Sequence, residues 1–175
     1  MSKVLVVVYS YTGTSRRVAQ LLCSQQGWPL GTVADVRPRR GVEGNLRCIL
    51  DSLLRRRPPV RYDGPPPETF DLVVLVAPVW LLRLAGPMRS FVGRSGRSLQ
   101  RVAVLSVMGG QGAPNAAAEI AALCGSTPVL AAAVTQREAD DGSCAGLLQS
   151  FGTAIQGALG PAAPVRAAEL STQAV

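Results

Sequence analysis

Apolar positions fall in short blocks along this chain, and the period of the pattern changes from block to block. Val4 to Val8 is a continuous apolar run ending in turn chemistry, which predicts a strand buried on both faces. From Ser15 the positions Val18, Leu21 and Leu22 recur at helical spacing and stop at Gly27, a residue suited to the left-handed end of a helix. Thr32 to Val36 predicts a second strand. From Asn45 the positions Leu46, Ile49, Leu50, Leu53 and Leu54 form a complete i, i+3, i+4, i+7, i+8 stripe, the expected core face of an amphipathic helix. Arg55, Arg56 and Arg57 follow, where cations complement the helix dipole. PPVRYDGPPP then reads as a proline-stiffened loop.

The second half repeats the alternation. Asp71 to Ala77 (DLVVLVA) predicts a central strand, and Pro87 starts a helix with Met88, Phe91 and Val92 on one face. Arg101 to Val107 predicts a fourth strand, MGGQGAP a loop, and the alanine-rich segment to Leu123 a helix. Pro128 to Val134 is a fifth strand. Asp140 or Asp141 is placed to cap a last helix whose Cys144, Leu147, Leu148, Phe151 and Ile155 share a face. Short buried strands separated by amphipathic helices imply an α/β domain, a parallel sheet covered on both sides. Ligands of such sheets lie beyond the carboxyl ends of the strands, at the point where strand order reverses. The loops after strands one, three and four therefore carry the candidate chemistry.

Composition narrows that chemistry. With 175 residues, 47% of them hydrophobic, the chain can bury one full core, taken as residues 1–160 with a flexible tail over 161–175. The N-terminal run is too short for a signal peptide or a membrane span, so a soluble cytoplasmic protein with no membrane role is the expectation. Cys23, Cys48, Cys124 and Cys144 are scattered in apolar segments and read as reduced packing residues. Histidine is absent, which removes Ser-His-Asp and Cys-His catalysis and histidine-containing zinc sites. The acids are too dispersed for a metal cage. No side chain is therefore assigned as catalytic, and the reaction is expected to belong to a bound cofactor. The net charge of +7 comes almost wholly from arginine, and either codon bias or an anionic ligand accounts for it.

After the first strand, Ser10, Tyr11, Thr12, Gly13, Thr14 and Ser15 form a knot of hydroxyls around one glycine. At a helix N-terminus these suit an anion, because free N–H groups and hydroxyls all donate. The loop has no lysine and no G-x-G-x-x-G, so a terminal phosphate monoester fits better than a nucleoside triphosphate or a dinucleotide. YSYTGTS resembles the phosphate loop of the flavodoxin family, and the resemblance extends over nearly the whole chain. It implies a three-layer αβα sandwich on a five-stranded parallel sheet of order 2-1-3-4-5, with FMN bound non-covalently. Pro78, Val79, Trp80 and Leu81 then match the loop lying against the flavin ring. Met108, Gly109, Gly110, Gln111 and Gly112 match the loop at the pyrimidine edge. An indole can stack on a flat ring, and glycines let main chain approach it.

Two features depart from that family. Positive φ is costly for Leu81 and Leu82, so the peptide turnover that accompanies flavin reduction is expected to be hindered. The family is usually acidic, whereas the pI here is about 10.1. The resemblance implies electron transfer to a redox partner protein. An alternative is an oxidoreductase passing electrons from NAD(P)H to a quinone-type small acceptor, with Arg83 and Arg89 receiving nucleotide phosphates. Arg16 and Arg17 join them as charges that would favour a reduced, anionic flavin. A distant alternative is nucleic-acid binding through Arg37, Arg39, Arg40 and Arg55–Arg57. Aromatic residues at 5% and the lack of a reader motif argue against it. Oligomeric state is left open.

Overall fold

In the computed structural model, residues 3–37 and 41–160 are described. Strand β1 (Val4–Tyr9) leads into α1 (Thr14–Gln26), then β2 (Leu30–Asp35), α2 (Gly41–Leu53) and β3 (Val60–Asp63). The chain continues through β4 (Leu72–Trp80), β5 (Arg83–Leu84), α3 (Gly86–Ser95) and β6 (Val102–Met108). It ends with α4 (Ala113–Cys124), β7 (Leu130–Thr135), α5 (Gln136–Asp141) and α6 (Ala145–Leu159). The expected tail over 161–175 and Arg39 and Arg40 lie outside the described residues.

The sheet order is β3-β2-β1-β4-β6-β7, with β5 folded back on β4. β1 pairs in parallel with β2 and β4, and β6 lies between β4 and β7. The five predicted strands keep the order 2-1-3-4-5 among themselves, but the five-stranded sheet is not matched in full. β3 adds an antiparallel edge to β2, and β5 closes a hairpin on β4. β3 lies within the segment read as a proline-stiffened loop. Its burial alternates, Val60 and Tyr62 half-buried between exposed Arg61 and Asp63, which is the pattern of an edge strand.

Alternate residues of each central strand feed opposite cores. Leu5, Val7, Tyr9, Val73 and Leu75 pack with Met88 and Phe91 of α3 and Ile120 of α4. Val6, Val8, Val74, Val76 and Leu105 pack with Val18 and Leu22 of α1 and Leu148 and Phe151 of α6. Each such Val or Leu contributes about 1.5–3 kcal/mol of burial, and having both faces covered explains why these strands read as unbroken apolar runs.

Two expectations change. In α2 the apolar stripe faces outward: Leu46, Ile49, Leu50, Leu53 and, just beyond the helix, Leu54 are exposed, while Cys48, Asp51 and Ser52 are buried. The cap expected from Asp140 or Asp141 is replaced by one on α5. Thr135 Oγ1 accepts the Glu138 N–H and Glu138 Oε2 accepts the Thr135 N–H, a reciprocal capping box. Asp141 instead accepts the Ser143 N–H, and Cys144 stands at the N-cap of α6.

Candidate functional site

The carboxyl ends of β1, β4, β6 and β7 converge on one edge, and three of the loops leaving that edge are the ones singled out in the sequence. The first turns on Gly13, whose φ of 98° favours glycine. A Cβ at Gly13 would meet nothing within 4 Å, so the space before it is open. Gly13 is also the N-cap of α1, and no side chain caps the helix. The N–H groups of Thr14, Ser15 and Arg16 thus have no partner inside the helix. Ser10 Oγ accepts the Gly13 N–H at 3.1 Å and closes the loop, while its own hydroxyl proton remains available. Thr12 Oγ1 and Thr14 Oγ1 lie 3.5 Å apart, and Thr14 and Ser15 are buried at the base. The helix dipole, its first amides and the loop hydroxyls gather at one end of α1.

Opposite stands the hairpin of β4 and β5. Trp80 pairs with Arg83, so Leu81 and Leu82 alone make the turn, with φ of 48° and 62°. Positive φ at both central positions marks a type I′ turn, which matches the twist of a tight hairpin. Leu81 and Leu82 take up the positive φ that is costly for leucine, because the pairing on either side imposes it. Trp80 meets Tyr9 and Tyr11 edge-on, at centroid separations of 5.9 and 6.0 Å. Tyr9 is itself held by a 2.8 Å bond from its hydroxyl to Asp35 Oδ2.

The third loop supplies Gly109 and Gly110, which are exposed and have open space where a Cβ would stand. Gly112 is different. With φ of 103°, its absent Cβ would sit 2.6 Å from Leu82 Cα and 2.8 Å from Val79 Cγ1. That glycine lets the hairpin and the third loop touch.

Between these loops lies a cleft of about 120 Å³. It is lined by Tyr11, Thr12, Thr14, Ser15, Pro78, Val79, Trp80, Met108 and Gly109, all singled out in the sequence. Val107 and Gln136 line it as well and were missed. Gln136 follows the fifth strand at the same sheet edge, a loop the sequence reading passed over although its T-Q-R-E is a capping-box signature. Ser10 and Gly13 line an adjoining hollow of about 520 Å³, with Arg16 and Asp35. Leu81 faces a third cavity, and Gly110, Gln111 and Gly112 do not line the cleft.

The arginines sort differently from expectation. Arg89 is 2% exposed and pairs with Glu119, with further bonds to the carbonyls of Asp51 (3.0 Å), Arg56 (3.2 Å) and Leu84 (2.8 Å). It is neither solvated nor free for a nucleotide phosphate. Arg17 pairs with Asp140 at 2.5 Å, tying α1 to α5. Glu138, beside Gln136, is held below the ordinary carboxylate range by the hydrogen bonds it accepts from Thr135. Burial pushes the Cys23 thiol up to about 11, and none of the four cysteines forms a disulfide. Among the described residues no group of three His, Cys, Asp or Glu is placed to hold a metal, and no helix is long and apolar enough to cross a membrane.

No family profile and no curated protein matches the sequence. Solved structures do match in shape. A flavoprotein of Lactobacillus acidophilus NCFM, crystallised in complex with FMN, superposes with a TM-score of 0.67 at 19% identity, covering 82% of this chain and 99% of that one. A WrbA-like flavodoxin of Agrobacterium tumefaciens gives 0.55 at 11% identity over 90% and 99%. A flavodoxin from the domain Archaea gives 0.51 at 17% identity over 88% and 99%. The chain has the flavodoxin-like fold.

Proposed function

We propose that residues 1–160 form one FMN-binding domain that works by flavin redox chemistry and passes electrons to a partner protein. The observation that carries this reading is the uncapped N-terminus of α1. Open space before Gly13, free amides at Thr14 to Arg16 and the hydroxyls of Ser10, Thr12, Thr14 and Ser15 together fit a phosphate monoester. Trp80 and the open glycine Gly109 in the cleft fit the rest of the group, a flat ring with polar edges. The likeness to a flavoprotein crystallised with FMN supports the same choice.

When bound, FMN supplies the electron-accepting ring; the chain supplies binding, orientation and shielding from water. Thr12, Thr14 and Ser15 would donate to phosphate oxygens at the positive end of α1. Trp80 would offer an apolar face, and the main chain at Gly109 would meet polar ring atoms. The cleft of about 120 Å³ is below the ~300–1,000 Å³ of ordinary ligand pockets, and Tyr11 and Thr12 join it to the hollow of about 520 Å³ beside it.

The purified protein, titrated with FMN and with riboflavin, tests the reading. FMN is expected to bind much more tightly, by the phosphate contribution. Equal affinity would overturn it. The finer choice between carrier and NAD(P)H-dependent reductase turns on Arg89, whose burial against Glu119 withdraws one of the two arginines that the reductase reading needs. The carrier reading predicts that NADPH alone does not bleach the flavin-loaded protein under anaerobic conditions. Rapid bleaching would favour the reductase.

A further inference from the structure

On the far side of the β4–β5 hairpin from the cleft lies a cavity of about 530 Å³, within the range of small-molecule sites. Its walls are the hairpin tip (Leu81, Leu82, Arg83), the outward face of α4 (Asn115, Ala118, Glu119, Ala122) and Arg55 at the exit of α2. Three observations meet there. The non-glycine residues with positive φ among those described are Arg55, Leu81 and Leu82, and all three line this one cavity. Strained backbone of this kind clusters at functional sites because its cost must be offset by something else. Arg55 holds its φ of 49° as the residue that ends α2, with the Arg56 N–H bonded back to Asp51 O at 2.9 Å. Glycine is the usual choice at that position, and here an arginine that lines the cavity takes it.

The second observation is charge. Neither Arg55 nor Arg83 has an ion-pair partner among the described residues. The single acid in the lining, Glu119, is already neutralised by Arg89. Arg55 and Arg83 thus both line the cavity with no acid opposing them, and guanidinium groups favour planar two-point binding of carboxylate or phosphate oxygens. The third is its apolar floor. Leu81 and Leu82 are 52% and 48% exposed, and Ala118 and Ala122 continue the surface.

We propose that this cavity is a second ligand site, taking an organic anion with a carboxylate or phosphate head and a flat apolar body. The head lies between Arg55 and Arg83 and the body over Leu81, Leu82 and Ala118. The proposal does not depend on FMN binding, since its walls are separate from the cleft.

Fluorescence of anilinonaphthalene sulfonate, added to the full chain with and without FMN, tests it. The expected result is one saturable site, displaced by naphthoate or naphthyl phosphate and not by neutral naphthalene methanol. Displacement by the carboxylate only, or by the phosphate only, identifies the head group. Arg55→Gln/Arg83→Gln should weaken the probe about tenfold or more. Lysine at both positions should restore part of the loss. Ala118→Phe, on an exposed helix face, should block the probe with both arginines intact. Failure to saturate, indifference to the double glutamine variant, or displacement by the neutral alcohol would overturn the proposal.

Discussion

Ser10–Ser15 and Trp80–Arg83 both leave parallel strands at the same edge of the sheet, and both turn through positive φ. The first loop places that φ on Gly13 and surrounds it with hydroxyls. The second places it on two leucines, held by the Val79–Leu84 and Trp80–Arg83 pairs and by contact with Gly112. Behind the hairpin, Arg89 bonds Leu84 O and ties the base to α2 and α4. One loop is self-contained; the other takes its shape from its neighbours. Changes to those neighbours should disturb the hairpin and spare the hydroxyl loop.

The largest effect is expected from Arg89→Met. Removing one partner strands Glu119 and three carbonyl acceptors, at a cost of about 3–5 kcal/mol in urea unfolding. Arg89→Met/Glu119→Leu should recover much of it, because both charges are then gone. A loss for the single variant no larger than for the pair would mean the ion pair does not hold the hairpin. Next comes a matched test of the two turning glycines. Gly13→Ala carries only backbone strain, whereas Gly112→Ala also drives a Cβ into Leu82 and should cost about 1–3 kcal/mol more. Equal losses would erase the distinction between the loops.

Only part of this was legible in the sequence. The hydroxyl loop could be read because its chemistry is local: glycine and hydroxyls at the end of an apolar run. The hairpin could not, because Leu81 and Leu82 carry no turn signal and their φ is set by contacts with β4 and Gly112. In α2 the period announced a helix but not which side is covered. Its close contacts run through Asp51, whose carbonyl accepts from Arg89, and a Cβ added to Gly86 would stand only 3.0 Å from Asp51 Cβ. That partner lies 38 residues away. A separation of 30 residues hid the partner of Arg89, the acid Glu119, which no pattern along the chain connects to it. β3 was readable in its alternation and was obscured by flanking prolines.

Smaller effects sharpen the comparison. Leu81→Asn/Leu82→Gly gives the turn residues suited to positive φ, so it should stabilise the protein by about 1–2 kcal/mol in the same unfolding experiment. Destabilisation would show that the leucines contribute more through packing than they cost in strain. Smallest is Glu138, which fixes the start of α5 beside Gln136. Glu138→Gln should cost at most about 1 kcal/mol at neutral pH. Because its folded pKa is depressed, the stabilisation is present above the unfolded value of ~4.3 and is lost as pH falls through the folded value. The stability gap between wild type and variant should therefore close in acid; a gap that widens there would contradict the capping role.

The central claim is that the hydroxyl loop holds a phosphate, and Thr12→Val/Thr14→Val tests it most directly. The change preserves side-chain shape and removes two donors, each worth about 1.5–3 kcal/mol to a charged acceptor. Affinity for FMN, measured by flavin fluorescence titration, is predicted to fall at least about tenfold, while affinity for riboflavin stays nearly unchanged. Equal losses for both ligands, or none for FMN, would contradict the account.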